Sequence, residues 1–189
     1  MTKNVMIVGV GGQGSLLASK LLGHLLLEQG YDVKVSEVHG MSQRGGSVVT
    51  YVRFGDAVYS PIIDRGEADF IVSFEKLEAA RWMEYLKPGG RVIVNTQEID
   101  PMPVITGAAQ YPADLVEKMR ALGAQVDDMD ALSLAVQAGS PKAVNLVLMG
   151  RLSRYFEDIP EQAWQDAITA CVPPKFLELN RKAFALGRA

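Results

Sequence analysis

The chain has 189 residues, 48% of them apolar and 22% charged, with a formal net charge of −3. A chain of this size buries on the order of 70% of its unfolded surface, so it needs no disulfide or metal staple, and its mild acidity leaves no basic footprint for nucleic acid. The one cysteine, Cys171, excludes an internal disulfide, a CxxC pair and a self-contained cysteine-ligated cluster, and it suits a reducing, cytoplasmic setting.

The N-terminus runs straight into an apolar strand without the basic and small-residue flanks of a secretory signal. The richest apolar run, Leu16 to Leu27, is short and interrupted by Ser19, Lys20 and His24, so no membrane span is expected. Asn4 to Val10 reads as the first strand and Gly12 to Gln29 as the first helix, whose narrow polar stripe (Ser15, Ser19, Lys20, His24, Glu28) requires cover on most sides. Gly30 ends that helix and Tyr31 to Glu37 returns as a strand. This is a βαβ unit, with parallel pairing and a right-handed crossover expected.

Two alternating runs, Ser47 to Phe54 and Ala57 to Ile63, flank Gly55-Asp56 and read as a hairpin, so the sheet should be mixed. A strand over Asp69–Phe74, a helix over Glu75–Leu86 and a strand over Arg91–Asn95 follow, with Lys87-Pro88-Gly89-Gly90 as the stop signal. Gln97 to Tyr111, with Pro101, Pro103 and Gly107, reads as loop with at most a short strand near Val104. Asp114 and Glu117 form a capping box for a helix over Leu115–Leu122, and Gln125–Met129 is a candidate edge strand. The last third is helical, with starts at Ser140-Pro141 and Pro160, and a terminal helix over Lys175–Leu186 after Pro173-Pro174. The expected fold is α/β, three-layered, with a Rossmann-like βαβ start, a mixed sheet containing a β-hairpin and a helical C-terminal third. No linker or repeat divides residues 1–189, which read as one domain.

Two glycine-rich turns carry the chemistry. Gly9, Gly11 and Gly14 fit the dinucleotide spacing, and Glu37 stands near where an acidic residue would hold a ribose. The same glycines also permit close helix–strand packing without a ligand. Gln13 is placed either to donate to a bound group or to brace the second loop. In that second turn, Gly40, Gly45 and Gly46 bracket Gln43 and Arg44, a polar pair able to hold a phosphate or carboxylate bidentately, or else to pin the loop itself. The ligand-binding candidates are therefore Gly11, Gly12, Gln13, Gly14, Gln43, Arg44, Gly45 and Gly46. His39 reads as structural, His24 as a satisfied core or interface residue, Cys171 as packing beside Trp164 and Ile168, and Asp127, Asp128 and Asp130 as a solvated turn without metal-ligand spacing. No catalytic or metal-binding residue is assigned.

Gly9-Val10-Gly11-Gly12-Gln13-Gly14, Ser36-Glu37-Val38-His39-Gly40-Met41-Ser42-Gln43-Arg44-Gly45-Gly46-Ser47 and the closing Asn180-Arg181-Lys182-Ala183-Phe184-Ala185-Leu186-Gly187 resemble the gamma-type domain of 2-oxoacid:ferredoxin oxidoreductases, over nearly the whole chain. The form of the second motif is similar to the branch of beta subunits acting on indolepyruvate, whereas relatives acting on pyruvate, branched-chain oxoacids or 2-oxoglutarate differ just before Arg-Gly-Gly. The resemblance implies a CoA-dependent oxidative decarboxylation of an arylpyruvate to an aryl-acetyl-CoA, with electrons passing to ferredoxin. It also implies that this chain is inactive alone. Gly55-Asp56-Ala57 is not a thiamine diphosphate motif and one cysteine cannot hold a cluster, so thiamine diphosphate and 4Fe-4S clusters belong on a larger alpha subunit. Coenzyme A, as co-substrate, would lie near the glycine loops. Three alternatives stay open: a subunit of another 2-oxoacid (pyruvate, branched-chain or 2-oxoglutarate) ferredoxin oxidoreductase, an independent NAD(P)-binding Rossmann-type oxidoreductase using Glu37, and a non-catalytic scaffold.

Overall fold

The computed structural model describes residues 2–37, 42 and 44–189. β1 (Lys3–Val10) is buried from Asn4 to Gly9, as its apolar run dictates, and passes through the first glycine turn into α1 (Ser15–Glu28). β2 (Asp32–Glu37) and β3 (Ser47–Gly55) follow. Next come β4 (Ala68–Ser73), α2 (Lys76–Arg81), a 3-10 turn at Met83–Tyr85 and β5 (Leu86–Asn95). After them stand α3 (Met102–Ile105), α4 (Leu115–Ala121) and β6 (Gln125–Met129). The helical third comprises α5 (Ala131–Ala138), α6 (Val144–Ser153), α7 (Glu161–Cys171) and α8 (Leu177–Arg188).

The six strands form one mixed sheet in the order β2-β3-β1-β4-β5-β6. β1, β4, β5 and β6 are parallel neighbours, and β3 is antiparallel to the strands on both its sides. The direct β1–β2 pairing expected of the opening unit is thus corrected: β3 lies between them, with Val52 facing Val5 on one side and Val35 on the other. Composition explains the order. β3 buries Val48, Val49, Val52 and Phe54 and suits an interior position, whereas β2 carries the ion pair of Lys34 with Asp32 and suits an edge.

The antiparallel hairpin is present, but its strands are β2 and β3, joined across residues 38–46, rather than the runs at 47–54 and 57–63. The alternation in 57–63 does not survive: Val58 and Ile63 are buried but stand five residues apart, on opposite parities, while Ser60 and Ile62 between them are exposed. Side chains hold this segment in place of a ladder. Val58 N donates to Asp32 at 2.7 Å, and Arg53 donates to the carbonyls of Ser60 and Ile62 at 3.1 and 2.6 Å. Pro61 has no N–H to offer a neighbour.

Other boundaries shift for local reasons. β5 begins at Leu86, opposite Ala68, so it absorbs the Lys87–Gly90 stretch and α2 is shorter than the expected helix. Near Val104 there is no strand but the short helix α3, with Pro101 at its N-cap and a proline in its first turn. The capping box at Asp114 is not formed. Asp114 sits at φ 56° and its side chain accepts nothing from α4.

α1 and the C-terminal helices α5–α8 pack on one face of the sheet, and α2 and α4 on the other. Trp164, Ala167 and Ile168 are buried as the periodicity of α7 required. Cys171 is half-buried beside them, and burial pushes its thiol up, away from thiolate chemistry. The acidic run is not a solvated turn. Asp127 accepts from Arg151 at 3.0 Å and from Tyr155 at 2.5 Å, Asp128 pairs with Arg120, and Asp130 caps α5 through Ser133 N at 3.0 Å. Among the described residues no helix is long and apolar enough to cross a membrane.

Candidate functional site

The parallel part of the sheet ends at Val10, Ser73, Asn95 and Met129. The chain leaves β1 for α1 on one face and leaves β4 for α2 on the other, so the carboxyl ends of β1 and β4 flank a topological switch point. Open sheets bind ligands in such crevices. The first glycine turn lies there, with a cleft on each side. One, of about 290 Å3, runs between Gly11–Leu16 and Val48–Thr50 of β3. The other, of about 500 Å3, runs between Gly12–Gly14, Gln97, Ile99 and the Pro141–Val144 start of α6.

The two glycine turns expected to act together do meet. Gly11 N donates to Gly46 O at 2.8 Å, a bond that fixes the end of the second turn against the start of the first. Gly46 N in turn donates to Ser42 O at 3.0 Å, and a Cβ on Gly46 would stand 3.0 Å from Ser42 Cα, so glycine is what permits this closure. Arg44 is exposed on this turn and makes no hydrogen bond or ion pair with any described residue. Gln43 and His39 lie outside the described residues.

In the first turn, Gly14 has φ 92° and directly precedes α1 without a side-chain cap. A Cβ on Gly14 would stand 2.9 Å from the Asn145 carboxamide, whose Nδ2 donates to Gly14 O at 3.3 Å. The turn is thereby tied to α6. Gln13 braces rather than waits for a ligand, and what it braces is not the second loop. Its Oε1 accepts from Val10 N at 2.8 Å and its Nε2 donates to Phe74 O at 3.2 Å, which joins the ends of β1 and β4.

Several site-forming residues had no visible signal in the sequence. Asn95 is fully buried at the end of β5, where Nδ2 donates to Phe74 O at 3.1 Å and Oδ1 accepts from Ala131 N at 3.1 Å. Two buried carboxylates open α2. Glu75 is 1% exposed and accepts from Glu78 N at 2.8 Å, from Ile99 N at 3.2 Å and from the Tyr111 hydroxyl. Burial first, and then the Glu75 carboxylate, push the Tyr111 phenol well above its usual value, so it remains a donor. Glu78 is 5% exposed and holds Ser47 and Arg81. The one sequence cue was the Glu78–Arg81 spacing on a helix. Nothing in sequence links Glu78 to Ser47.

Glu37 does not reach over the glycine turn. It accepts from Ser19 Oγ at 2.6 Å, one turn into α1, and β3 separates its strand from β1. His24 is half-exposed on α1 and lines a groove against β2 with Leu27 and Val35, so it is not a core residue. Among the described residues no group of three His, Cys, Asp or Glu side chains is arranged to hold a metal.

This fold is that of known gamma subunits. A gamma subunit of a keto/oxoacid ferredoxin oxidoreductase from Geobacter sulfurreducens superposes with a TM-score of 0.73 over 98% of this chain and 96% of that one, at 22% identity. A 2-oxoglutarate:ferredoxin oxidoreductase from Magnetococcus marinus, solved with 2-oxoglutarate, coenzyme A and succinyl-CoA, superposes with a TM-score of 0.72 over 99% of this chain and 30% of that longer one, at 18% identity. Residues 4–189 match the family described as pyruvate ferredoxin/flavodoxin oxidoreductase, and the chain belongs to that family. Its relatives include the indolepyruvate oxidoreductase subunit IorB of Thermococcus kodakarensis, 46% identical over 97% of this chain and 93% of that one. The IorB subunit of Archaeoglobus fulgidus is 37% identical over 99% of this chain and 94% of its own length.

Proposed function

We propose that residues 1–189 act as one gamma-type domain, the smaller (beta) subunit of an indolepyruvate ferredoxin oxidoreductase. The assembled enzyme would take an arylpyruvate and coenzyme A, break the bond to the carboxylate as carbon dioxide, join the remaining acyl carbon to the coenzyme A sulfur, and pass the electron pair to ferredoxin. Thiamine diphosphate and the 4Fe-4S clusters would sit on a larger alpha subunit, because one cysteine cannot ligate a cluster. Ferredoxin would meet the complex in the cytoplasm, in keeping with the reducing setting suited to this cysteine usage.

The observation that carries the coenzyme A assignment is the 2.8 Å bond from Gly11 N to Gly46 O, which brings the Arg44 turn to the mouth of the glycine-turn clefts. A guanidinium held there can meet a phosphate or carboxylate with a planar fork, and the uncapped start of α1 offers further N–H donors. Gly11, Gly12, Gly14, Gly45 and Gly46 would shape the site and Arg44 with Gln43 would anchor it, while Gln13 acts by bracing. The choice of an arylpyruvate is supported by the relatives named for indolepyruvate. Relatives at 30% identity are named 2-oxoglutarate synthase subunits, so a panel of 2-oxoacids is part of the test.

The chain purified alone should reduce no viologen with any 2-oxoacid, and co-purification with its alpha subunit should give activity on indolepyruvate plus coenzyme A. In that complex, Arg44→Ala and Arg44→Lys should raise the apparent coenzyme A constant about ten- to a hundredfold, corresponding to a lost contact of roughly 1.5–3 kcal/mol. The arylpyruvate constant should hold. Turnover by the lone chain would sink the subunit role, and preference for 2-oxoglutarate or pyruvate would move the substrate assignment.

A further inference from the structure

Glu78 is a buried carboxylate with no role in the chemistry above, and a charge taken out of water must be compensated. Its Oε1 accepts from Arg81 Nε at 3.0 Å, a partner on its own helix. Its Oε2 accepts from Ser47 Oγ, which comes from a different segment and directly follows Gly45-Gly46. The helix beneath is firm, since Ala79 is fully buried and Glu75 accepts from Glu78 N at 2.8 Å. The Arg44 turn is therefore pinned on two sides, at Gly46 O by the first glycine turn and at Ser47 by α2, while the Arg44 side chain stays free of described partners. Pinning the backbone while leaving the guanidinium open is a preorganised arrangement, which lowers the ordering cost of binding.

We propose that Glu78 is a positioning residue: acting through Ser47, it fixes the turn that presents Arg44 to an anionic group of the ligand. This rests on the coenzyme A reading of the Arg44 turn.

Two measurements test it. In the assembled enzyme, Ser47→Ala and Glu78→Gln should each raise the apparent coenzyme A constant about three- to tenfold, as expected when one hydrogen bond of a positioning chain is lost. The arylpyruvate constant should move less than about twofold, and neither substitution should add anything in an Arg44→Ala background, because residues acting through one contact are non-additive. A rise of the same size in the Arg44→Ala background, or no rise where Arg44→Ala itself raises the constant, would overturn the proposal. Ser47→Ala, on an exposed side chain, keeps the test usable if Glu78→Gln folds poorly. The second measurement needs no coenzyme A. On the full chain, tryptic cleavage after Arg44 should be several-fold faster in both variants than in the parent, with cleavage after Arg65 unchanged. If Arg44→Ala leaves the coenzyme A constant alone while this acceleration appears, the ligand assignment fails and the positioning stands. Unaltered cleavage after Arg44 would remove the positioning itself.

Discussion

The site where a side chain on Gly187 would begin lies 1.9 Å from the carbonyl oxygen of Val147. The reciprocal site on Gly150 lies 2.1 Å from the carbonyl of Phe184, so α6 and α8 touch backbone to backbone through a pair of glycines. No rotamer change relieves a clash with a carbonyl, and the helices would have to part. Gly187→Ala and Gly150→Ala should each destabilise the chain by about 3 kcal/mol or more, or leave it insoluble. Gly23→Ala in α1 is the contrast. Its Cβ would meet only a Val35 methyl at 3.5 Å, and relief of helical glycine should add about 0.5–1 kcal/mol. Urea unfolding of the three variants decides the matter, and equal losses at all three positions would refute the packing account.

Tyr111 and Glu75 give a pH dependence of definite sign. Burial, and next the Glu75 carboxylate, raise the Tyr111 phenol above the tyrosine value of the unfolded chain, and burial likewise raises Tyr51 and Tyr155. A group raised on folding contributes stability that is whole below its unfolded value and is lost as pH climbs past it. Unfolding free energy should therefore fall above about pH 10. Tyr111→Phe leaves Leu77 N and Glu75 short of a partner and should cost about 1–3 kcal/mol at neutral pH. It should also flatten the alkaline decline. A parent whose stability is level through pH 11 would contradict this.

Much of the architecture was legible because it rests on local chemistry. The apolar run from Val5 to Val8 ending in glycines could be little other than a buried strand feeding a tight turn, and Ser140-Pro141 and Pro160 marked helix starts by their missing or capped N–H groups. Non-local pairing was not legible. The apolar residues from Val58 to Ile63 suggested a strand, yet Val58 and Ile63 are buried on opposite parities and the backbone polar groups are satisfied by Asp32 and Arg53, which no spacing rule could have paired with them. The meeting of the two glycine turns was an expectation of motif, whereas its supports, Asn145 and Glu78, come from two helix starts far apart in the chain, with Glu75 capping the second.

Gln13 shows how a motif residue can serve a site without touching a ligand. Both atoms of its carboxamide are engaged by Val10 N and Phe74 O, so Gln13→Ala should loosen the ends of β1 and β4 and cost about 1–2 kcal/mol. Gln13→Glu keeps the acceptor for Val10 but replaces the donor with a charge facing the Phe74 carbonyl, and should cost more. Denaturation curves showing Gln13→Glu milder than Gln13→Ala would indicate that the carboxamide is not seated as described.

The dinucleotide reading of Gly9, Gly11, Gly14 and Glu37 fails on strand order rather than on spacing. A ribose-binding carboxylate works from the strand next to β1, where its side chain overhangs the glycine turn. Here β3 occupies that place, which moves β2 outward by a further strand spacing of about 4.8 Å. Glu37 is also already bonded to Ser19 at 2.6 Å, so a ribose would have to displace that contact. Titration of the chain with NADH, followed by nucleotide fluorescence, should show no binding up to roughly millimolar concentration, weaker than about −4 kcal/mol. Glu37→Gln retains an acceptor for the Ser19 hydroxyl and should change neither that result nor, beyond a few tenths of a kcal/mol, the stability. A low-micromolar dissociation constant that weakens in Glu37→Gln would restore a nucleotide site and require β2 to move inward on binding.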